Sequence, residues 1–251
     1  MFDRTFRRNA LAVMVAAVAT GTQADAFNRI ASFSTAKNLP AGVERQQETS
    51  AEIIAVSEDG KTLVYSDSPL EGLGFVDISD ADEPKPAGHL KLEGEPTSVA
   101  IADDYVLTGV NTSTSYVKPT GFLAAIDLDD KEIEKRCDLG GQPDSIAVSK
   151  DGKYVAVAIE NERDEDLHDG ALPQLPAGFL VIAPLEDGKP DCDDMRRVEM
   201  TGLAEIGADD PEPEFVDFND NNEIVVTLQE NNHLVVVDAK TAKVINHFSA
   251  G

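Results

Sequence analysis

Carboxylates and amides recur at corresponding places in this chain, each time just after a run of apolar, β-branched residues. Asp67-Ser68-Pro69-Leu70-Glu71 follows TLVYS, Asn111 follows YVLTGV, Glu160-Asn161-Glu162 follows YVAVAI, and Gln229-Glu230-Asn231-Asn232 follows EIVVTL. Oxygens held at fixed positions suit a hard cation such as calcium, which takes roughly six to eight of them in flexible geometry. Converging carboxylates repel one another, and a bound cation removes that cost. The metal candidates among these tips are Asp67, Glu71, Glu160, Glu162, Glu230 and Asn231. A carboxylate beside a bound cation can also activate water, which makes Glu160 and Glu230 the catalytic candidates. Turn chemistry is the competing reading, because Asn and Asp favour hairpins for backbone reasons alone.

The elements that must position these tips come in a repeat. Glu52-Ile53-Ile54-Ala55-Val56, Pro96-Thr97-Ser98-Val99-Ala100, Pro143-Asp144-Ser145-Ile146-Ala147 and Pro213-Glu214-Phe215-Val216-Asp217 share one apolar beat, and each precedes a polar turn and a second strand. The Asp59-Gly60 and Asp151-Gly152 pairs supply the positive φ that a tight hairpin wants. A third strand begins at Gly74, Gly121, Gly178 and His233, and a shorter, more polar fourth follows.

Four strands per unit, with units of about 45–50 residues, define an all-β fold of the β-propeller kind, made of four-stranded antiparallel blades. Blades are expected at about 51–92, 94–139, 141–200 and 211–248. Residues 27–33 resemble a fourth strand, 244–249, and are expected as an N-terminal outer strand. Four blades fall short of an ordinary ring, so residues 27–251 read as the front part of a longer, probable seven-bladed propeller, with the ring incomplete. In this arrangement all the tips share one face. The segments ahead of the inner strands, with Glu48, Glu52, Glu95, Asp144, Glu212 and Glu214, point toward the central channel from the same end.

The third blade carries an insert, 161–176, longer than a hairpin needs, which reads either as a functional loop or as a solvated lid. The four histidines, His89, His168, His233 and His247, lack zinc spacing. His89 and His247 fall in outer strands and read as surface residues, while His233 reads as a hairpin cap. Neither a nucleophile elbow nor a glycine-rich nucleotide cradle is found, so no organic cofactor is expected.

The chain has 251 residues, with 21 basic against 47 acidic side chains and a formal charge of -26. Such a surface repels a phosphate backbone, which excludes nucleic acid as a partner and favours cations. Residues 1–26 have the order of a secretory signal: Arg4, Arg7 and Arg8, an apolar run from Ala10 to Ala19, then cleavage after Ala24 or Ala26. The exported chain is expected in the periplasm or outside the cell, and it is not transmembrane after signal removal. Cys137 and Cys192 lie in that exported part, where one disulfide can form if geometry permits.

The pair Pro211-Glu212-Pro213-Glu214-Phe215 and Val226-Thr227-Leu228-Gln229-Glu230-Asn231-Asn232, supported by Gly141-Gln142-Pro143-Asp144 and Ile159-Glu160-Asn161-Glu162, resembles the choice-of-anchor I family. These are secreted propellers of the YVTN and WD40-like superfamily, related to mesenchyme-specific cell-surface glycoprotein and often described as phytase-like or alkaline-phosphatase-like. The resemblance covers about residues 46–251. It singles out Glu212 and Glu214 as further metal candidates, since they stand in the motif that carries it. It implies a cation-associated surface module that binds a metal cation, a small polar ligand, or a cell-surface or protein partner. A metal-assisted phosphoesterase, a lactonase-like hydrolase, or an inactive fragment of one is the alternative, and whether the chain is an enzyme stays open.

Overall fold

A computed structural model describes residues 28–251 apart from Arg45 and Glu165. The signal segment expected at 1–26 lies outside the described residues. Residues 31–251 form one compact unit built from four antiparallel sheets. The first is β1 (Ile54–Val56), β2 (Thr62–Asp67), β3 (Gly72–Asp77) and β4 (Lys85–Lys91). The second is β5 (Glu95–Ala102), β6 (Tyr105–Asn111), β7 (Gly121–Asp127) and β8 (Ile133–Asp138). The third holds β9 (Pro143–Val148), β10 (Tyr154–Ile159), β11 (Phe179–Glu186), β12 (Lys189–Pro190) and β13 (Arg196–Glu199). The fourth is β14 (Pro213–Phe218), β15 (Glu223–Leu228), β16 (His233–Asp238) and β17 (Lys243–Ser249). In each sheet, strands consecutive in sequence are hydrogen-bonded neighbours, which is the up-and-down order of a propeller blade. In the third blade the outer strand is split: β12 and β13 both pair with β11, and the Cys192–Asp194 turn lies between them.

The first hairpin of blades one and three is fixed by the same six-residue chemistry. Ser57 Oγ donates to Asp59 Oδ1 at 2.8 Å and accepts the Thr62 N–H at 2.9 Å; Ser149 Oγ does the same with Asp151 at 2.9 Å and Tyr154 at 2.9 Å. Gly60 and Gly152 take φ of 69° and 68°, which a side chain would strain.

The blades pack face to face over three apolar layers. Val64, Phe75, Val106 and Phe122 join the first and second blades; Leu107, Leu123, Val157 and Phe179 join the second and third; Leu180, Met200, Val226 and Val235 join the third and fourth. A disulfide between Cys137 and Cys192, with Cα atoms 5.2 Å apart, adds a covalent tie between β8 of the second blade and the turn before β13 of the third. The even alternation of buried and open residues along β16 explains why only one face of the fourth blade is covered. On its other face Phe215 and Phe248 are 60% and 48% exposed.

The outward face of the first blade is covered differently. Asn38, buried, donates to Tyr65 Oη at 3.2 Å and to the Phe75 carbonyl at 2.9 Å, and accepts the Gly88 N–H at 3.1 Å. The segment around the Thr35–Lys37 turn is thereby pinned across the sheet. Residues 28–33, expected as an outer strand, have no strand structure. An outer strand exists only by pairing with a third strand, and the described residues offer that segment none. No helix among the described residues is long and apolar enough to cross a membrane.

Candidate ligand-binding cleft

Where the second strand of a blade ends, a single Asp or Asn turns back and binds the backbone ahead of the first strand. In the first blade Asp67 Oδ1 accepts the Ser50 N–H at 3.0 Å. In the third, Asn161 Oδ1 accepts the Gln142 N–H at 2.9 Å; in the fourth, Asn231 Oδ1 accepts the Glu212 N–H at 3.0 Å. All three side chains are buried, at 0%, 3% and 1% exposure. The blade thus satisfies a backbone donor that the strand ladder leaves over. The second blade departs from this, since Asn111 accepts from Ser113 within its own loop.

These locks hold acids at the mouth of the channel. A cleft of about 440 Å³ is lined by Glu160 and Glu162 from the third blade and by Glu212, Glu214 and Glu230 from the fourth, with Arg163 among them. Burial pushes the Glu160 carboxyl up to about 8, and the charges of Asp144, Glu162, Glu212 and Glu214 add to that. Asp144 is raised to about 6 by burial and then by Glu214 and Glu162. Glu214 is raised by burial and by Glu230, and Glu95 by burial, Glu52 and Glu162. Carboxyls from all four blades therefore lie within electrostatic reach of a neighbour, Glu52 with Glu95, Glu95 with Glu162, and Asp144 with Glu162 and Glu214.

Arg163 is the basic group on this wall, and it is already engaged. Its Nη1 lies 2.7 Å from Glu212 Oε2, its Nε donates to Asp210 Oδ2 at 3.1 Å, and its Nη2 donates to the Asp210 carbonyl at 2.6 Å. Burial raises Glu212 to about 7 even against the opposing charge of Arg163. Asp210 Oδ2 also accepts the Gln174 N–H at 2.7 Å, and the Gln174 side chain bonds the backbone of Asp164 on both sides. The long third-blade insert is thus tied at 163 and 174 to the segment ahead of the fourth blade and braced within itself between 164 and 174, which sets it apart from a freely solvated lid.

Of the sequence candidates, the structure brings together Glu160, Glu162, Glu212, Glu214 and Glu230. Asp67 is placed elsewhere: it is fully buried, accepts from Thr49 Oγ1 and Ser50, and has His89 Nε2 at 3.7 Å. Glu71 is drawn off to Lys91, 2.6 Å away. Asn231 has its amide committed to the backbone, donating to the carbonyls of Ile206, Gly207 and Asp210 at 3.1 Å each. Among the described residues, no three His, Cys, Asp or Glu side chains stand where they could hold one metal ion. The wall is acidic without being a preformed metal centre.

Two histidine expectations are corrected. His89, expected at the surface, has a side chain only 2% exposed, because Gly72 leaves room for its ring; burial lowers its pKa. His233, expected as a hairpin cap, is buried with Nε2 3.0 Å from His247 Nδ1. Sequence reasoning missed Asp144 as a group with strongly altered acidity and missed the Arg163–Asp210 contact. The position of Asp144 one residue into the inner strand, next to Pro143, was the available signal for the former.

Four-stranded antiparallel blades stacked face to face, with acids gathered in a cleft of the third and fourth, define a partial β-propeller; the described blades form no closed ring. The chain belongs to the choice-of-anchor I family, whose domain model matches residues 52–251. Among solved structures it is similar to Kuenenia stuttgartiensis hydrazine synthase, at 13% identity and a TM-score of 0.44, covering 76% of this chain and 65% of that one. It is also similar to a protein of unknown function from Bacteroides caccae, at 11% identity and a TM-score of 0.49, covering 82% of this chain and 62% of that one. The chain spans less than two thirds of the length of either. No match was found among curated proteins.

Proposed function

We propose that the chain is an exported, surface-associated binding module whose acid-lined cleft takes a cationic ligand. The observation that carries this reading is the convergence of Glu160, Glu162, Glu214 and Asp144, none of which has a basic partner among the described residues, while Arg163 is spent on Asp210 and Glu212. Burial first and neighbouring negative charge second raise Glu160, Asp144 and Glu214; a cation relieves the charge part, and so binds the folded form in preference to the unfolded one. Calcium would have to draw the carboxylates together, whereas a singly charged ammonium could sit between them as they stand.

The test is thermal unfolding in calcium chloride and in methylammonium chloride, each matched for ionic strength with sodium chloride. At least one of the two cations should raise the midpoint of the native chain, and the gain should shrink in Glu160→Gln/Asp144→Asn. Equal midpoints in all three salts would end the reading.

A hydrolase reading draws on one specific observation. Glu160, raised to about 8, keeps its proton at neutral pH, as a general acid must. Turnover of a generic phosphomonoester and a simple lactone, lost in Glu160→Gln and abolished by chelator, would favour it. The engagement of Arg163 leaves phosphate without a protein cation on this wall.

A further inference from the structure

A groove of about 360 Å³ lies between the insert of the second blade and that of the third. Tyr116 and Val117 form one side, Leu167 and Leu175 the other, and these large apolar residues are 46%, 65%, 41% and 60% exposed. Glu162 and Asp164 also line it. Glu162 lines the acid cleft as well, so the two concavities meet at that carboxylate. The groove has firm support, since Gln174 bonds both backbone groups of Asp164 and anchors to Asp210.

Apolar side chains gathered in a concavity mark where the hydrocarbon part of a ligand is desolvated. The carboxylates along the same groove reject an anion and reward a positive charge. A bare metal ion would use the cleft and leave the groove empty. A neutral apolar molecule would use the groove and leave the acids uncompensated. The size of each concavity is that of a small-molecule site.

We propose that the ligand is an organic cation with an apolar body, its ammonium or guanidinium group held at Glu162 where cleft and groove join and its hydrocarbon lying between Val117 and Leu175. The proposal rests on the cation-binding reading above and names the ligand class for that site.

The experiment is calorimetric titration of the whole chain with phenethylammonium, methylammonium, phenylacetate and calcium. Phenethylammonium should bind roughly tenfold or more tightly than methylammonium, the gain that burying its ring supplies, and phenylacetate should not bind. Val117→Ser/Leu175→Ser, which alters two exposed side chains and so leaves the core intact, should erase the advantage of phenethylammonium and leave methylammonium and calcium unchanged. Equal affinity for the two amines, or an advantage that survives the double substitution, overturns the proposal. If methylammonium or calcium still binds in that case, the cation-binding reading stands without the apolar half. If no cation binds, both fall together.

Discussion

Arg163 grips Glu212 at two points, through its backbone N–H to Oε1 at 3.0 Å and through its guanidinium to Oε2 at 2.7 Å. The side chains are 10% and 4% exposed, and Asp210, the other partner of Arg163, is 2% exposed. Removing one member of a buried ion pair strands the charge left behind, which typically costs about 3–5 kcal/mol. Arg163→Ala should therefore destabilise the chain by about 3 kcal/mol in urea unfolding, with the loss becoming smaller at acid pH as Glu212, raised to about 7, is neutralised. A loss below about 1 kcal/mol would mean that water already screens the contact.

The raised carboxyls give a pH dependence of definite sign. Burial and neighbouring charge raise Glu160 to about 8 and Asp144 to about 6 in the folded chain, against ordinary values of 4.5 and 3.8. Between those values the folded state binds more protons than the unfolded one, so their contribution is fully present below the unfolded pKa values and is lost as pH rises toward 8. Asp59 works in the opposite direction, held down to about 2 by Lys61 and Ser57, and its contribution fades as pH falls through that region. The unfolding midpoint should peak near pH 5 and fall by about 5 °C by pH 8. Glu160→Gln should flatten that fall, which a pH series of thermal melts reads directly.

Asn231 bonds four backbone groups of the segment 206–212. Asn231→Ala removes all four bonds at once and leaves the buried Glu212 N–H without its side-chain acceptor, while the Asp210 carbonyl keeps Arg163 Nη2, at a cost of about 1–3 kcal/mol. Limited proteolysis should then cut within 201–210 in the variant under conditions that leave the native chain whole. Asn232→Ala, whose amide reaches only the Gly251 carbonyl at 3.2 Å, is the control and should leave that segment resistant.

The Cys137–Cys192 bond closes a segment of 55 residues across two blades. Its reduction, or Cys137→Ser/Cys192→Ser, should lower stability by about 2–4 kcal/mol. Melts with and without reductant read this, and the double variant should show no reductant effect at all.

The strands were legible because two signals agree: apolar alternation, as in His233–Asp238, and Asp-Gly turns at 59–60 and 151–152 that close the hairpins. Glu212 and Glu214 were singled out by the motif that carries the family resemblance, and the strand pattern alone does not say which carboxyls they meet. The roles of Asp67 and Asn231 were not legible, because a terminal Asx can point outward to a ligand or back to the chain, and only the position of the preceding segment decides. The pairing of the cysteines depended on how the second blade meets the third, which local pattern does not encode. The expected strand at 27–33 had the right residues, but a strand needs a partner as well as a propensity.

The Asx locks have a further consequence for how such a protein can change. Because Asn161 and Asn231 fasten their blades at the foot of the loop, the strand ladder is closed before the loop begins, and in the third blade Arg163 and Gln174 then tie the excursion itself back to Asp210. The third blade already carries a sixteen-residue excursion there, 161–176, while the fourth makes do with the turn 229–232. A lineage that lengthens or trims the third-blade excursion must therefore keep Arg163 and Gln174, or leave Asp210 and Glu212 buried without these partners.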